Sequence, residues 1–464
     1  MKRNKIYILS LTALITGIFS CKKGDDLYIS PNAPTKATAS TLLSGIEVGT
    51  FNNLEGGTIR QASIYVQHNS GVLGQALEPE LYAPTESDMD NYWNGLYLNM
   101  NNCKILMDQF GGESPYYKGI AEVIMAMNLG VATDMWGDVP YSEALKGTET
   151  GENLMPKFDS QQSVLASIQS LLDDAIGNLA KPASSNASVP AGDDFIYGGN
   201  TKAWTKLAYT LKARYYSRLS KKGGFDANLI LTYLSKGIAS NADNCYAIHG
   251  AGGSEGNQWA SYLDNRAYVV ASQTLIDSLG NMNDPRTPQY FDTTGVGQAV
   301  GNPLGDLDPD VSYWGPYVGG LSPGDQFTDP SKHIVLVSYA EVKFLEAEAK
   351  VRLNDLTAFN TLNDAIKASV QEVTEGADDG SSVATYTALN TNLRTVITEK
   401  WKAMFTTPIE AYAAYRITGF PDLKPNPNAK LPYIPKRLPT AQTERVTNPN
   451  APTPSLGTPV WYAE

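Results

Sequence analysis

Gly252-Gly253-Ser254-Glu255-Gly256 carries the spacing that holds a serine nucleophile at a sharp turn from a strand into a helix. That chemistry needs both elements as much as the serine. Cys245 to Ile248 reads as a short strand, but Gly256-Asn257-Gln258-Trp259 does not read as a helix start, and a surface loop explains the same residues. The three histidines, 68, 249 and 333, never fall at the i, i+4 spacing that sets two imidazoles on one helix face for a metal. Asp306, Asp308 and Asp310 alternate in a way that can gather carboxylate oxygens around calcium. The EF-hand order, however, puts Gly sixth and Glu twelfth, where this chain has Val311 and Tyr317, so a solvated acidic turn without metal is expected. Glu341, Glu346 and Glu348 could serve a glycosidase only by facing a partner across a cleft of about 5 to 10 Å. On one helix they are expected to brace neighbouring turns instead. No nucleophile, base or metal set emerges, so the chain is read as a non-enzyme without a cofactor.

Binding asks for other equipment: exposed aromatic faces with amide and arginine donors beside them. The chain holds 26 Tyr and 7 Trp against 12 Phe, a bias towards rings with a polar edge. One candidate segment offers Asn257, Gln258, Trp259, Tyr262, Asn265, Arg266 and Tyr268; a second offers Tyr313, Trp314, Tyr317 and Gln326; Tyr92 and Trp93 form a third. Each ring has an alternative role in loop packing or in contact with a partner protein.

The elements that position these residues are mainly helical. Ile120, Val123, Ile124, Met127 and Val131 share one helix face that ends near Trp136-Gly137-Asp138-Val139-Pro140. Val164, Ile168, Leu171, Leu172, Ala175 and Leu179 repeat the pattern behind Asp159 or Ser160 as N-cap. Further helices are expected over 201–219, 338–353, 358–372 and 392–406. The helices near 120, 205 and 342 are apolar on two faces, which stacked helical hairpins require. The fold class is therefore mainly α: a tetratricopeptide-like superhelical scaffold without strict repeats, with minor β and long loops at 241–268 and 280–333.

The net charge of −12 argues against nucleic acid as a partner, since phosphate backbones demand basic stripes. Lys2, Arg3 and Lys5 precede an apolar run from Ile6 to Phe19 and then Ser20-Cys21. That run is shorter than the ~20 residues a membrane-spanning helix needs, so residues 1–20 read as a cleaved secretory signal. Cys21 reads as the lipid-accepting residue, 21–35 as a tether, and 36–464 as one domain. Cys103 and Cys245 are too few for a disulfide framework; they either pair or lie buried.

Six segments then resemble one family in its own order: Asn91-Tyr92-Trp93-Asn94-Gly95-Leu96-Tyr97, Met135-Trp136-Gly137-Asp138-Val139-Pro140-Tyr141, Asp284-Pro285-Arg286, Tyr339-Ala340-Glu341-Val342-Lys343-Phe344-Leu345-Glu346-Ala347-Glu348-Ala349, Arg416-Ile417-Thr418-Gly419-Phe420-Pro421-Asp422-Leu423, and Ile434-Pro435-Lys436-Arg437-Leu438-Pro439. The chain resembles the SusD-like (SusD/RagB) surface lipoproteins of Bacteroidetes-type bacteria, in their second branch. The resemblance implies a lipoprotein lid that captures oligosaccharides or peptides and hands them to a SusC-like, TonB-dependent outer-membrane transporter. Asp25 and Asp26 resemble the family's surface-export signal, although Lys22 and Lys23 precede them and leave the periplasmic face open. Two other classes stay in view: a helical scaffold that only assembles partners, and a surface hydrolase.

Overall fold

The computed structural model describes residues 37–146, 154–251, 253–266, 268–293, 297–308, 310–313 and 329–464. The leader, Cys21 and the tether, and also Trp314, Tyr317 and Gln326, lie outside the described residues. In chain order the elements are α1 (Ala39–Glu55), α2 (Gly57–Tyr65), β1 (Asn69–Gly71), α3 (Asp90–Phe110), α4 (Pro115–Trp136), α5 (Gln161–Leu179), α6 (Thr201–Ser217), α7 (Ala227–Leu234), β2 (Cys245–Ala247), α8 (Gln258–Arg266), β3 (Val269–Ala271), α9 (Gln273–Leu279), β4 (Ile334–Val337), α10 (Tyr339–Arg352), α11 (Ala358–Val373), α12 (Leu393–Ala403) and α13 (Pro408–Thr418), with short turns between. The expected mainly α class with minor β holds.

Local chemistry sets the helix boundaries. Ser160, not Asp159, caps α5 by accepting the Ser163 N–H. Asn200, Ser338 and Asn392 do the same for α6, α10 and α12. Pro115 and Pro408 occupy first helical positions, where a missing N–H leaves no bond unmade. Asp159 instead receives the backbone N–H groups of Tyr141 and Ser142 at 2.9 and 2.7 Å, which pins the Gly-Asp-Val-Pro turn.

Central to the core is α4, buried on every face from Gly119 to Trp136. It packs against α1, α3, α5 and α6, the arrangement expected of antiparallel hairpins that stack. Segments far apart in sequence meet at its end. The Trp136 indole donates to the Pro439 carbonyl at 2.8 Å, Arg437 donates to the Trp136 carbonyl, and the Tyr97 hydroxyl donates to the Pro140 carbonyl at 2.8 Å.

A charge network crosses this core. Arg218, at the C-cap of α6, bonds Asp134 of α4 and Glu410 of α13, each at 2.8 Å, and Arg214 within α6 bonds Glu341 of α10 through Nε at 2.7 Å. All five side chains are essentially excluded from solvent. Glu346 and Glu348 brace turns of their own helix through Lys343, Lys350 and Arg352, as expected. Glu341 departs from that expectation, because it reaches across to α6. Beside the network, Glu47 on α1 is enclosed near Asp194 and accepts the Phe195 N–H at 2.7 Å. Burial and then the Asp194 charge push its carboxyl up to about 10.

Two antiparallel ribbons hold the loops. β1 pairs with β3 (Ser70 opposite Val270), and β2 pairs with β4 (Ala247 opposite Ile334). Cys103 and Cys245 are both buried free thiols. No described helix is long and apolar enough to cross a membrane.

Candidate binding site

An aromatic and cationic cluster forms where α2, the first turn of α3, the loop after β1, and α8 come together. The Arg60 guanidinium on α2 lies 4.1 Å from the ring centre of Tyr262 on α8, within cation–π range. Arg266, one turn further along α8, lies 5.9 Å from the same ring. Tyr268 meets Tyr262 edge to face at 6.5 Å. Tyr92 hydrogen-bonds Arg60, and Gln75 hydrogen-bonds Tyr262.

Tyr262 forms the buried floor; Arg60, Tyr92 and Tyr268 are half-buried, while Leu73, Gln75 and Arg266 are exposed. Burial, reinforced by the like charge of Arg266, lowers the affinity of Arg60 for its proton, while Tyr92 and Tyr262 oppose that shift. Burial likewise raises Tyr262, which keeps its hydroxyl protonated as a donor.

Two glycines make room for the rings. A Cβ at Gly57 would lie 1.9 Å from the Tyr92 ring, and one at Gly74 would lie 2.4 Å from the Tyr268 ring. Gly74 also has φ +51°, a left-handed conformation that side chains disfavour. Strand pairing continues past β1, where the Val72 N–H bonds the Tyr268 carbonyl at 2.9 Å and ties the loop to the end of α8.

Four of the sequence candidates, Tyr92, Tyr262, Arg266 and Tyr268, thus converge. Three others do not face this surface. Trp93 is buried and packs on Tyr97 at 4.7 Å and on Trp136 at 5.4 Å. Adjacent helical residues diverge by roughly 100°, so Tyr92 and Trp93 serve opposite sides of α3. Trp259 is buried 5.7 Å from Phe405. Asn257 is fully buried: its side chain accepts the Ala260 N–H at 2.8 Å and donates to the Asp329 carbonyl at 2.7 Å, so it caps α8 and fastens the 329–332 loop.

That cap corrects the expectation that no helix opens after Gly256. Asn257 is itself an N-cap signal, and it was obscured by the run of glycines before it. Arg60 and Gln75 were not anticipated. Neither has a sequence signature, and only the fold sets them against the tyrosines.

Catalytic arrangements find no support in the described geometry. Ser254 is exposed on a single turn, Gly253–Glu255, and not at a strand-to-helix junction, since β2 ends at Ala247 and α8 opens only at Gln258. His249 turns away from it: Nε2 pairs with Glu55 at 2.8 Å and Nδ1 meets the Glu255 carbonyl at 3.1 Å. His68 is buried with Nε2 on the Trp401 carbonyl at 2.8 Å, and burial lowers its pKa to about 3. Asp306, Asp308 and Asp310 lie on an exposed turn organised by Asn302, whose side chain bonds the Asp306 carbonyl at 2.7 Å; Asp308 accepts the Asp310 N–H at 2.8 Å. Among the described residues no three His, Cys, Asp or Glu side chains gather as a metal site.

Comparison with known proteins places this geometry in a context. A SusD/RagB family protein from Bacteroides thetaiotaomicron superposes with a TM-score of 0.77 at 26% identity, over 92% of this chain and 99% of the other. A chitin-binding SusD homolog from Flavobacterium johnsoniae superposes with a TM-score of 0.77 at 21% identity, over 91% and 98%. A SusD homolog from Bacteroides ovatus gives 0.71 at 23% identity, over 88% and 93%. No curated protein matches the chain. The SusD-like family described as starch-binding and associating with the outer membrane matches residues 31–439. With that match spanning most of its length and the same helical scaffold beneath it, the chain belongs to the SusD-like family.

Proposed function

We propose that this protein is a cell-surface nutrient-binding lipoprotein that captures an oligosaccharide on the Arg60–Tyr92–Tyr262–Tyr268 surface and passes it to a SusC-like, TonB-dependent transporter. The observation that carries this reading is the convergence of three tyrosines on two arginines, with an amide at the rim. The half-buried rings of Tyr92 and Tyr268 suit the apolar faces of sugars, while Arg266, Gln75 and the phenolic hydroxyls supply the directional hydrogen bonds that hydroxylated ligands need. Family membership and the chitin-binding relative favour a glycan over a peptide.

Anchoring rests on Cys21 as the lipidated residue and on Asp25-Asp26 as the surface address, so the protein sits on the outer membrane facing outward. Capture requires no cofactor and no bond breaking. Energy for uptake comes from the transporter.

Calorimetry of the detergent-solubilised protein against starch, chitin and peptide oligomers tests the reading. A glycan is expected to bind, and Arg60→Ala, which removes the cation that orients the Tyr262 and Tyr92 rings, to weaken it about tenfold. Binding of no glycan would point to a pure scaffold, and turnover of any of them to a hydrolase.

A further inference from the structure

A second recess, of about 490 Å³, opens beside the end of α11 between the 329–333 loop and Tyr246 of β2. That volume falls within the several hundred Å³ usual for small-ligand sites. Its walls are polar, and their hydrogen-bonding capacity is only partly used.

The charged groups divide cleanly. Asp329 is satisfied by the Ser331 N–H and hydroxyl at 2.8 and 2.7 Å. Glu375 is paired with Lys332. Glu372 is different: it accepts no hydrogen bond among the described residues, and only the more distant Lys332 offsets its burial, which pushes the carboxyl up to about 7. Asn241 donates to the Ala368 carbonyl at 3.0 Å, yet its Oδ1 is enclosed with no partner.

Donors face these acceptors. The Tyr246 hydroxyl accepts from Asn244 at 3.1 Å, which leaves its own proton to give. His333 accepts the His249 N–H on Nδ1 at 3.0 Å, and burial, His249 and Lys332 together keep the ring neutral. Its remaining proton therefore sits on Nε2 as a second donor.

The Glu372 carboxyl, an acceptor without a hydrogen bond among the described residues, thus lines one recess with two open donors. We infer that this recess is a second ligand site, taking a small protonated amine that carries neighbouring hydroxyls, the chemistry of an amino sugar. The ammonium would pair with Glu372, and the hydroxyls would meet Tyr246 and His333. An ammonium would favour the charged form of this carboxyl over its protonated form, a gain that a neutral sugar does not bring. The recess shares no lining residue with the Arg60 cluster, although Asn257 fastens its 329–332 loop to α8.

Titration of the purified protein with glucosamine, glucose and N-acetylglucosamine tests the assignment. Glucosamine is expected to bind at least tenfold more tightly than the other two and to shift the His333 ring resonances, identified through His333→Gln. Glu372→Gln should weaken glucosamine at least tenfold, and Tyr246→Phe, which keeps the ring and loses the donor, at least threefold. The idea is overturned if glucosamine fails to bind, if glucose binds as well, if the His333 resonances stay still, or if a folded Glu372→Gln protein binds as the parent does. Should Glu372→Gln not fold, unchanged binding in Tyr246→Phe would overturn it equally.

Discussion

Two polar regions of this molecule solve the problem of buried charge in opposite ways. In the helical core, Arg214 and Arg218 are shared among Glu341, Asp134 and Glu410, and each charge has an opposite within reach. Around α8 and α11, Arg60 rests on a tyrosine ring instead of a carboxylate, and Glu372 has no hydrogen bond at all among the described residues. A saturated network holds helices together and has no capacity left for a ligand. An unsaturated one stays available, and the stability it forgoes is small because its groups are only part-buried. The difference separates scaffold from site without reference to any particular ligand.

The sharpest way to break the comparison is to remove a charge from the saturated side. Glu410→Ala leaves Arg218 with Asp134 alone, removes charged hydrogen bonds from a buried site, and is expected to cost about 1.5–3 kcal/mol in urea denaturation. A loss below about 1 kcal/mol would show that the network is replaceable.

Glu47 gives a pH-dependent version. Its folded pKa of about 10 lies above the usual 4.5, so its contribution is fully present below pH 4.5 and is lost as pH rises towards 10. Glu47→Gln keeps the neutral state throughout, so its melting temperature should fall less than the parent's between pH 6 and 9. Parallel slopes would remove Glu47 from the account.

At the small end, Ser254→Ala on its exposed turn should change stability by no more than about 0.5 kcal/mol and leave glycan binding intact. A lost hydrolytic activity in that variant would reopen the catalytic reading.

Much of the scaffold was legible from spacing and caps. The periodicity from Ile120 to Val131 and the Ser160 cap both appear as expected, because helix boundaries depend on contacts within a turn or two. The helix α8 was missed although its cap, Asn257, was in view; a glycine run masked the local signal. At the site, Tyr262, Arg266 and Tyr268 could be nominated together because they lie close in sequence. Trp93 and Trp259 were nominated on ring type alone and proved to be core, since type does not tell which way a side chain faces.

What the sequence determined by itself was the class of helix-rich scaffold, its turns, and the aromatic stock from which a site could be made, all properties of short-range patterning. Tertiary structure decided which aromatics meet. Arg60 reaches Tyr262 across some two hundred residues only because the fold brings α2 and α8 within side-chain reach, and Gly57 and Gly74 let the Tyr92 and Tyr268 rings close in. Long-range packing also decided which carboxylates are neutralised, Glu410 by arginines from another helix and Glu372 by no hydrogen-bonding partner among the described residues, and that choice is not written in any local stretch of chain.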